Sequence, residues 1–383
     1  GILYDKNITR IIRFPPNSDH IDFIIPDTII SIDCYAFAHS NKLKSISIPY
    51  LVEEIGNDAF YRCSNLESII FSEQSKLKRI CCNAFYSCNK LKSILIPYLV
   101  EEIGNNAFYR CSNLKTIIVH EDNNKYSNYN NDGILYDKNI TRIIRFPPNS
   151  DHIDFIIPDT ITSIDCYAFA YNKKLKYVKF PDQSNISSIE NNLFMNCTKL
   201  DTVKISESIL YIGINSFSYC SKLRRILFSE SSKLKLINER AFFHCISLET
   251  ITLPQQLREI LTSAFEGCIK LKLLIILSNI SKIGRLAFLN CKNLENITYL
   301  GSTEPNVDMF AFSRCKRLGV VFTKSTYLSK NFGHYRTVKL SALKSKTNLF
   351  KLISFPGIIK IIYICIAAII LIWLIYICVF FNM

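Results

Sequence analysis

The chain has few of the residues that catalytic centres are built from. Histidine occurs six times in 383 residues, at His20, His39, His120, His152, His244 and His334. No C-x-x-C occurs, which removes the zinc and thioredoxin-like signatures. No G-x-x-x-x-G-K, G-x-G-x-x-G, H-E-x-x-H or G-x-S-x-G occurs either, so phosphate cradles, zinc-protease helices and nucleophile elbows are missing. His20 and His152 stand in a duplicated "NSDHID". Consecutive Ser, Asp and His side chains point in different directions and cannot form a triad. Pairs such as Glu53–Glu54 and Glu101–Glu102 recur with a repeat and read as solvent-facing edge charges. These absences predict a protein that is not an enzyme, with no catalytic, cofactor-binding or metal-binding residues and no small-molecule substrate.

Charge is missing from one stretch altogether. "IIYICIAAIILIWLIYICVFF", 361–381, carries none, and no acidic residue follows position 338. As a helix this run would span roughly 31 Å, about the thickness of a bilayer core. A buried helix in a soluble domain would show a polar face. The expectation is one membrane-spanning helix over 358–381, with residues 382–383 as a tail.

What the chain does contain is repetition. A phenylalanine recurs at Phe37, Phe60, Phe85, Phe108, Phe169, Phe194, Phe217, Phe242, Phe265, Phe288 and Phe312, mostly 23–25 residues apart. A leucine follows each by six residues, and an Ile, Val or Leu follows that by three. The shared pattern is I-x-x-x-A-F-x-x-C-x-x-L-x-x-I-x-I. A period of 20–29 residues built on L-x-x-I-x-I is that of a leucine-rich repeat. One such coil cannot bury its apolar edge alone; stacked coils share a continuous core. The alternating segment predicts a short strand, and stacking predicts a parallel sheet.

A longer duplication overlies the repeats. Residues 1–38 return as 133–170 with a single change, Ile30 to Thr162. The wide gap between Phe108 and Phe169 holds an Asn-rich opening, expected as a loop. "ILY", "DKN" and "TRIIRF" follow and are expected as a hairpin. Position 1 falls inside the first copy of this insert and is not Met, so the chain reads as a fragment, with any signal peptide out of view.

Nine of the 15 cysteines occupy one repeat position: Cys63, Cys88, Cys111, Cys197, Cys220, Cys245, Cys268, Cys291 and Cys315. Ser40 and Asn172 take that position in two other repeats. A disulfide needs a fixed pair at Cα separations of about 4.4–6.8 Å. A position shared by Cys, Ser and Asn asks instead for a small, partly polar side chain packed inside each turn. Structural packing is the favoured reading, and disulfides between adjacent rungs are the alternative.

Lys and Arg number 46 against 32 for Asp and Glu, a net charge of +14. A nucleic-acid footprint would gather the basic residues on one face. The residue after each repeat leucine reads Lys44, Glu67, Lys92, Lys115, Lys176, Asp201, Arg224, Glu249, Lys272, Glu295 and Gly319. Mixed signs argue against a phosphate-tracking stripe, so no nucleic-acid partner is expected. The strand's outward positions instead suggest a face for protein or glycan ligands, formed by Lys44, Lys92, Lys115, Lys176, Tyr177, Lys179, Arg224, Arg225 and Glu249. Six N-x-S/T sequons, at Asn7, Asn139, Asn185, Asn196, Asn279 and Asn296, are glycosylation candidates if the repeats face a secretory lumen.

"SIDCYAFAHSNKLKSISIP" and "EIGNDAFYRCSNLESIIF" resemble the BspA-like leucine-rich repeat, as does "DGILYDKNITRIIRFPPN" a segment recurring in that family. The resemblance covers roughly 1–325. It implies a repeat solenoid, a right-handed leucine-rich-repeat coil with a parallel β-sheet face, and a cell-surface protein adhering to host cells, extracellular matrix or other microbes. No catalytic residue belongs to the family pattern. The expected organisation is a solenoid over 1–325 of about eleven repeats, with hairpin inserts at 1–25 and 120–157. A basic juxtamembrane linker over 326–357, the membrane helix and the tail would follow.

Orientation stays open at this point. Lys339, Lys344, Lys346, Lys351 and Lys360 precede the apolar run and no charge follows it. By the positive-inside tendency the repeats would face the cytosol, as in a tail-anchored scaffold, whereas translocation behind a signal peptide would override the flank and place them outside. A lipid-anchor signal with cleavage around Ser341–Ala342 is a third possibility.

Overall fold

Each repeat carries its apolar side chains at spacings that a straight segment cannot bring to one interior. The backbone therefore turns, and the turns stack. The computed structural model describes residues 1–341 and shows a parallel β-solenoid with almost no helix. The expected membrane helix over 358–381, the tail and the second half of the basic linker, from residue 342, lie outside the described residues. Among the described residues no helix is long and apolar enough to cross a membrane.

The L-x-x-I-x-I segments form the broader face. Ser45–Ile48, Ser68–Phe71, Thr202–Ile205, Thr250–Leu253 and Asn296–Tyr299 are typical strands of four residues. They pair in parallel and in register, as in Ser45↔Ser68 and Thr250↔Leu273↔Asn296. On the opposite side, two-residue strands such as Glu54–Ile55, Arg79–Ile80 and Glu102–Ile103 form a narrow parallel ladder. The broad ladder is interrupted between Ser68–Phe71 and Ser93–Ile96, and between Arg225–Phe228 and Thr250–Leu253. Both interruptions follow strands that run into "FSE-x-SKLK", where the connecting turn holds two extra residues.

A third side carries the phenylalanines. Their rings form columns inside the coil, with centroids 4.9 Å apart for Phe37–Phe60, 5.2 Å for Phe194–Phe217 and 5.0 Å for Phe265–Phe288. The residues two before and two after each repeat phenylalanine from Phe37 to Phe288 adopt left-handed backbone angles, and at Phe312 only the later one, Arg314, does. Asp58 and Arg62 flank Phe60 at φ 54° and 57°, and Asn192 and Asn196 flank Phe194 at 59° and 61°. A left-handed angle costs a residue with a Cβ roughly 1–2 kcal/mol. Hydrogen bonds to the next coil offset that cost. Asp58, Phe60 and Arg62 donate their N–H groups to the carbonyls of Cys82, Ala84 and Tyr86 at 3.0, 2.8 and 2.8 Å. Alternating handedness turns every second N–H along the axis, so this corner is a ladder in its own right.

The cysteine row sits directly behind it. Each thiol donates to the carbonyl of the phenylalanine one coil earlier: Cys63 to Phe37 at 3.0 Å, Cys220 to Phe194 at 3.1 Å, Cys315 to Phe288 at 3.1 Å. Asn172, in the same place, donates from Nδ2 to the Pro147 carbonyl at 3.2 Å. The ladder cysteines are buried and free. Burial pushes the thiols of Cys63, Cys111 and Cys197 up to about 12, so they stay protonated donors rather than nucleophiles.

The insert divides the interior into two cores. One runs from Ile11 to Ile117 and takes in Leu135; the other runs from Ile134 to Phe332. Phe14 and Phe146 head the two ring columns, 4.9 Å from Phe37 and 4.7 Å from Phe169. The Asn-rich opening is more ordered than a loop. Tyr126–Ser127 is a strand antiparallel to Leu135–Asp137, which pairs in turn with Arg142–Arg145. Asn128 ties the insert down: Nδ2 donates to the carbonyls of Ile117 and Ile134 at 2.9 and 2.7 Å, and Oδ1 accepts from the Val119 N–H at 2.9 Å.

The solenoid also runs beyond the boundary expected at 325. Tyr335–Lys339 joins the broad sheet in parallel with Val320–Thr323 and pairs antiparallel with Asn331–Phe332. Tyr327 lies edge-on to Tyr299 with centroids 5.4 Å apart. The basic Lys339 thus belongs to the last coil and not to a linker.

Candidate ligand-binding face

The broad sheet offers three exposed columns. The first is formed by the residues that follow each repeat leucine. Their N–H groups bond the residue above, as in Glu67 to Lys44, Lys115 to Lys92, Asp201 to Lys176, Arg224 to Asp201 and Lys272 to Glu249, at 2.7–2.9 Å. Lys44, Lys92, Lys115, Lys176, Arg224 and Glu249 are all exposed in this column. The structure therefore brings them into one row, broken where the sheet ladder is broken.

The second column is the first outward position of each strand, and its register aligns Tyr177 with Thr202 and Arg225. Tyr177 is half-buried and Arg225 exposed. The third column is the second outward position, and here the structure departs from the polar face expected. Ile24, Ser47 and Ile70 stand in register, as do Leu95 and Ile118, and Ile156, Lys179, Lys204 and Leu227. Ile24 is 78% exposed, Ile70 54% and Ile118 50%. The signal was present in "SIIF", "SILI" and "TIIV". Three consecutive apolar residues in a strand cannot all face inward, because alternation sends the middle one out.

Charges on this face are tied to neighbouring coils. Asp151 accepts from Lys115 and Lys174 at 2.6 and 2.8 Å. Those hydrogen bonds, Lys115's first, hold its carboxyl down at about 2. Asp182 joins Lys179 and Lys204 at 3.0 and 2.8 Å, and Asp201 pairs with Arg224 and, at 3.6 Å, Arg225. Such exposed pairs each contribute little to stability, because water screens them. Their effect is to fix long side chains in place. Lys44, Lys92, Lys176 and Glu249 make no ion pair among the described residues, so their charges are free to meet a ligand.

Away from the sheet, the corner carries stacked tyrosines. Tyr61, Tyr86 and Tyr109 follow one another at 5.1 and 5.2 Å, with the guanidinium groups of Arg62 and Arg110 5.2 and 5.8 Å from rings. A shallow, open cleft of about 320 Å³ beside it is lined by His39, Asn41, Arg62, Ser64, Ser87 and Asn89. No nucleophile and base meet there. Among the described residues no group of three or more His, Cys, Asp or Glu side chains is arranged to hold a metal ion.

Of the six sequons, Asn7, Asn139, Asn185 and Asn279 are exposed; Asn196 and Asn296 are half-buried.

No curated protein sequence matches the chain. Among solved structures, a leucine-rich-repeat protein from Eubacterium ventriosum aligns with a TM-score of 0.66 at 22% identity, covering 85% of this chain and 92% of its own. The pneumococcal vaccine antigen PcpA aligns with a TM-score of 0.58 at 23% identity, covering 85% and 76%. At those identities the likeness is one of fold. The family model for the BspA type leucine-rich repeat region matches in several copies over residues 16–133, 148–234 and 229–341. The stacked phenylalanines, the thiol-to-carbonyl ladder and the parallel sheet are the physical content of that match, and the chain belongs to the BspA-type leucine-rich-repeat family.

Proposed function

We propose that this protein is a non-enzymatic cell-surface binding protein, anchored in the membrane by its C-terminal apolar segment, that takes protein or glycan ligands on the broad sheet for adhesion to cells or matrix. The observation that carries the reading is the sheet itself, where an exposed aliphatic column lies beside a column of fixed and free charges. A stiff array of this kind presents apolar contact area and polar register together, which is what a macromolecular ligand needs. The aliphatic column favours a protein ligand over a sugar. The exposed sequons at Asn7, Asn139, Asn185 and Asn279 suit repeats that pass through a secretory lumen.

A second reading has its own support. Five lysines, at 339, 344, 346, 351 and 360, precede the uncharged run. Basic residues on that flank favour a membrane-anchored scaffold with cytosolic repeats. One experiment separates the two. Live, unpermeabilised cells making the full-length protein are stained with an antiserum raised against the repeats, and an endoglycosidase mobility shift is run alongside. Staining with a shift is expected. Signal only after permeabilisation, with no shift, would sink the surface reading and leave the scaffold.

A further inference from the structure

The corner beside the broad sheet carries polar side chains of its own, and their composition changes at the insert. In the coils ahead of the insert, the residue two after each phenylalanine is His39, Arg62, Ser87 or Arg110. The residue four after it is Asn41, Ser64, Asn89 or Ser112. His39, Arg62 and Ser87 donate their N–H groups to the carbonyls of Tyr61, Tyr86 and Tyr109 at 2.8, 2.8 and 2.9 Å, so each rung is bonded to the next. The two rows meet in the cleft of about 320 Å³ lined by His39, Asn41, Arg62, Ser64, Ser87 and Asn89. Ligand pockets begin at roughly 300 Å³, so this one has room for a small ring and its substituents rather than a length of peptide.

None of the lining side chains is a carboxylate. Arg62 is exposed, yet its guanidinium is placed, 5.2 Å from the centre of the Tyr61 ring. His39 meets the same ring edge-on at 5.5 Å, and Tyr61 stacks in turn on Tyr86 at 5.1 Å. Among the described residues Arg62 makes no ion pair, and the side chains of His39, Arg62, Ser87 and Asn89 make no hydrogen bond. Nearby acids are engaged elsewhere: Asp58 is 9% exposed beside Tyr35, and Asp19 is held by Lys42 at 2.5 Å. Asn41 accepts the Ser64 hydroxyl on Oδ1 at 2.8 Å, so its unused capacity is the amide N–H groups. The cleft is thus a set of placed, unpaired donors around one guanidinium. It is a property of these coils and not of the repeat. Beyond the insert, Gly267 stands where Arg62 does, and Ile246 and Ile269 stand where Asn89 does.

We propose that this cleft is a second binding site, separate from the broad sheet, for a sugar that carries a carboxylate. Arg62 takes the carboxylate, because the planar guanidinium fork matches its two oxygens. Asn41, Ser87 and Asn89 take the ring hydroxyls, which both donate and accept as amides and hydroxyls do. Tyr61 holds Arg62 and His39 in position from behind. Two kinds of glycan supply such a sugar: a chain that ends in a sialic acid, or one with uronic acids along its length.

The test titrates the full chain with sialyllactose and with a hyaluronan tetrasaccharide in a calorimeter, with lactose and maltotetraose as uncharged controls. Binding of an acidic sugar and not of its uncharged counterpart is expected, and which of the two binds names the source. Arg62→Gln should weaken that binding about tenfold or more, the loss of a charge-assisted hydrogen bond, and Arg62→Lys, which keeps the charge without the fork, by less. Asn89→Ile, a residue the turn already accepts at Ile246, should weaken it severalfold with the melting temperature unchanged. Arg258→Gln, at an exposed arginine outside the cleft, should leave it as it is. The proposal is overturned if neither acidic sugar binds, if the uncharged sugars bind as well, or if Arg62→Gln has no more effect than Arg258→Gln. Dextran sulfate bound as tightly as the acidic sugars, at the same Arg62, would make the cleft a general anion patch and overturn the assignment too. Adhesion through the sheet plays no part in this readout, so the two sites fail or stand separately.

Discussion

The cysteine ladder makes a sharp prediction at Cys220. Its thiol is fully buried and donates to the Phe194 carbonyl at 3.1 Å, an oxygen that also accepts the Cys197 N–H at 3.1 Å. Cys220→Ala removes one sulfur from a packed interior. The lost transfer energy is about 1 kcal/mol, and the small cavity and the lost weak hydrogen bond bring the cost to about 1–2 kcal/mol. Cys220→Ser keeps a donor at the same place and is expected to cost less than alanine, about 0.5–1 kcal/mol. Cys220→Val fills the volume, adds a branch and removes the donor, for about 1–3 kcal/mol.

The order Ser, Ala, Val is therefore the signature of a position selected for a small donor. Asn172 already supplies a natural replacement that keeps the donation. Because each coil contacts only its neighbours, a global melting curve would blur the effect. Native-state hydrogen exchange at Phe194, Phe217 and Leu223 reads the local opening energy directly. Valine tolerated as well as cysteine, with serine worse than alanine, would refute the donor argument and leave apolar volume as the sole requirement.

Asn128→Ala removes three hydrogen bonds that join the insert to both cores, and should cost about 2–3 kcal/mol. Faster exchange confined to 117–146 checks it, and a uniform change along the chain would contradict it. Ile70→Asp combined with Ile118→Asp alters two exposed side chains on the broad sheet. Cell or matrix adhesion should fall severalfold while the circular dichroism melt stays put; retained adhesion would remove the sheet from the reading. Asp151, held down at about 2, stabilises the fold above the ordinary carboxylate range near pH 4, and that contribution is lost as pH falls towards 2. The difference in melting temperature between the native chain and Asp151→Asn should accordingly shrink between about pH 4 and 2; a difference that grows there would reverse the sign.

The parts of this fold written in apolar spacing were legible in the sequence. The phenylalanine, cysteine and leucine positions repeat because one interior must be filled at every turn, and period and strand follow from that. The left-handed corner was not legible. Asn83, Asn106, Asn192 and Asn215 two residues before the phenylalanine are a signal of the kind left-handed angles leave, since short amides tolerate them. Tyr35, Tyr167, Arg240 and Leu286 occupy the same place and say nothing of it. There the hydrogen bond to the next coil outweighs local preference, and that bond is visible only once the coils are stacked.

The candidate face failed to be legible for a different reason. Counting polar residues at outward positions found the charged column and passed over the aliphatic one, because an isoleucine in a strand is read as core by default. Register decides otherwise. Ile70 lies beside Ser47, and Ser47 beside Ile24, on a column that alternation keeps outside. A soluble sheet edge could have used threonine or lysine there, as Thr252, Thr298 and Lys204 do in later coils. Two isoleucines more than half exposed on one column, continued by Ile118 beyond the break in the ladder, form a patch of the type that marks a binding surface. The column continues past the insert at Ile156, 64% exposed, and Leu227, 46% exposed. Ligand contact should therefore run along residues 22–227, and the coils beyond 230, where Thr252 and Thr298 take this position, should contribute less apolar contact.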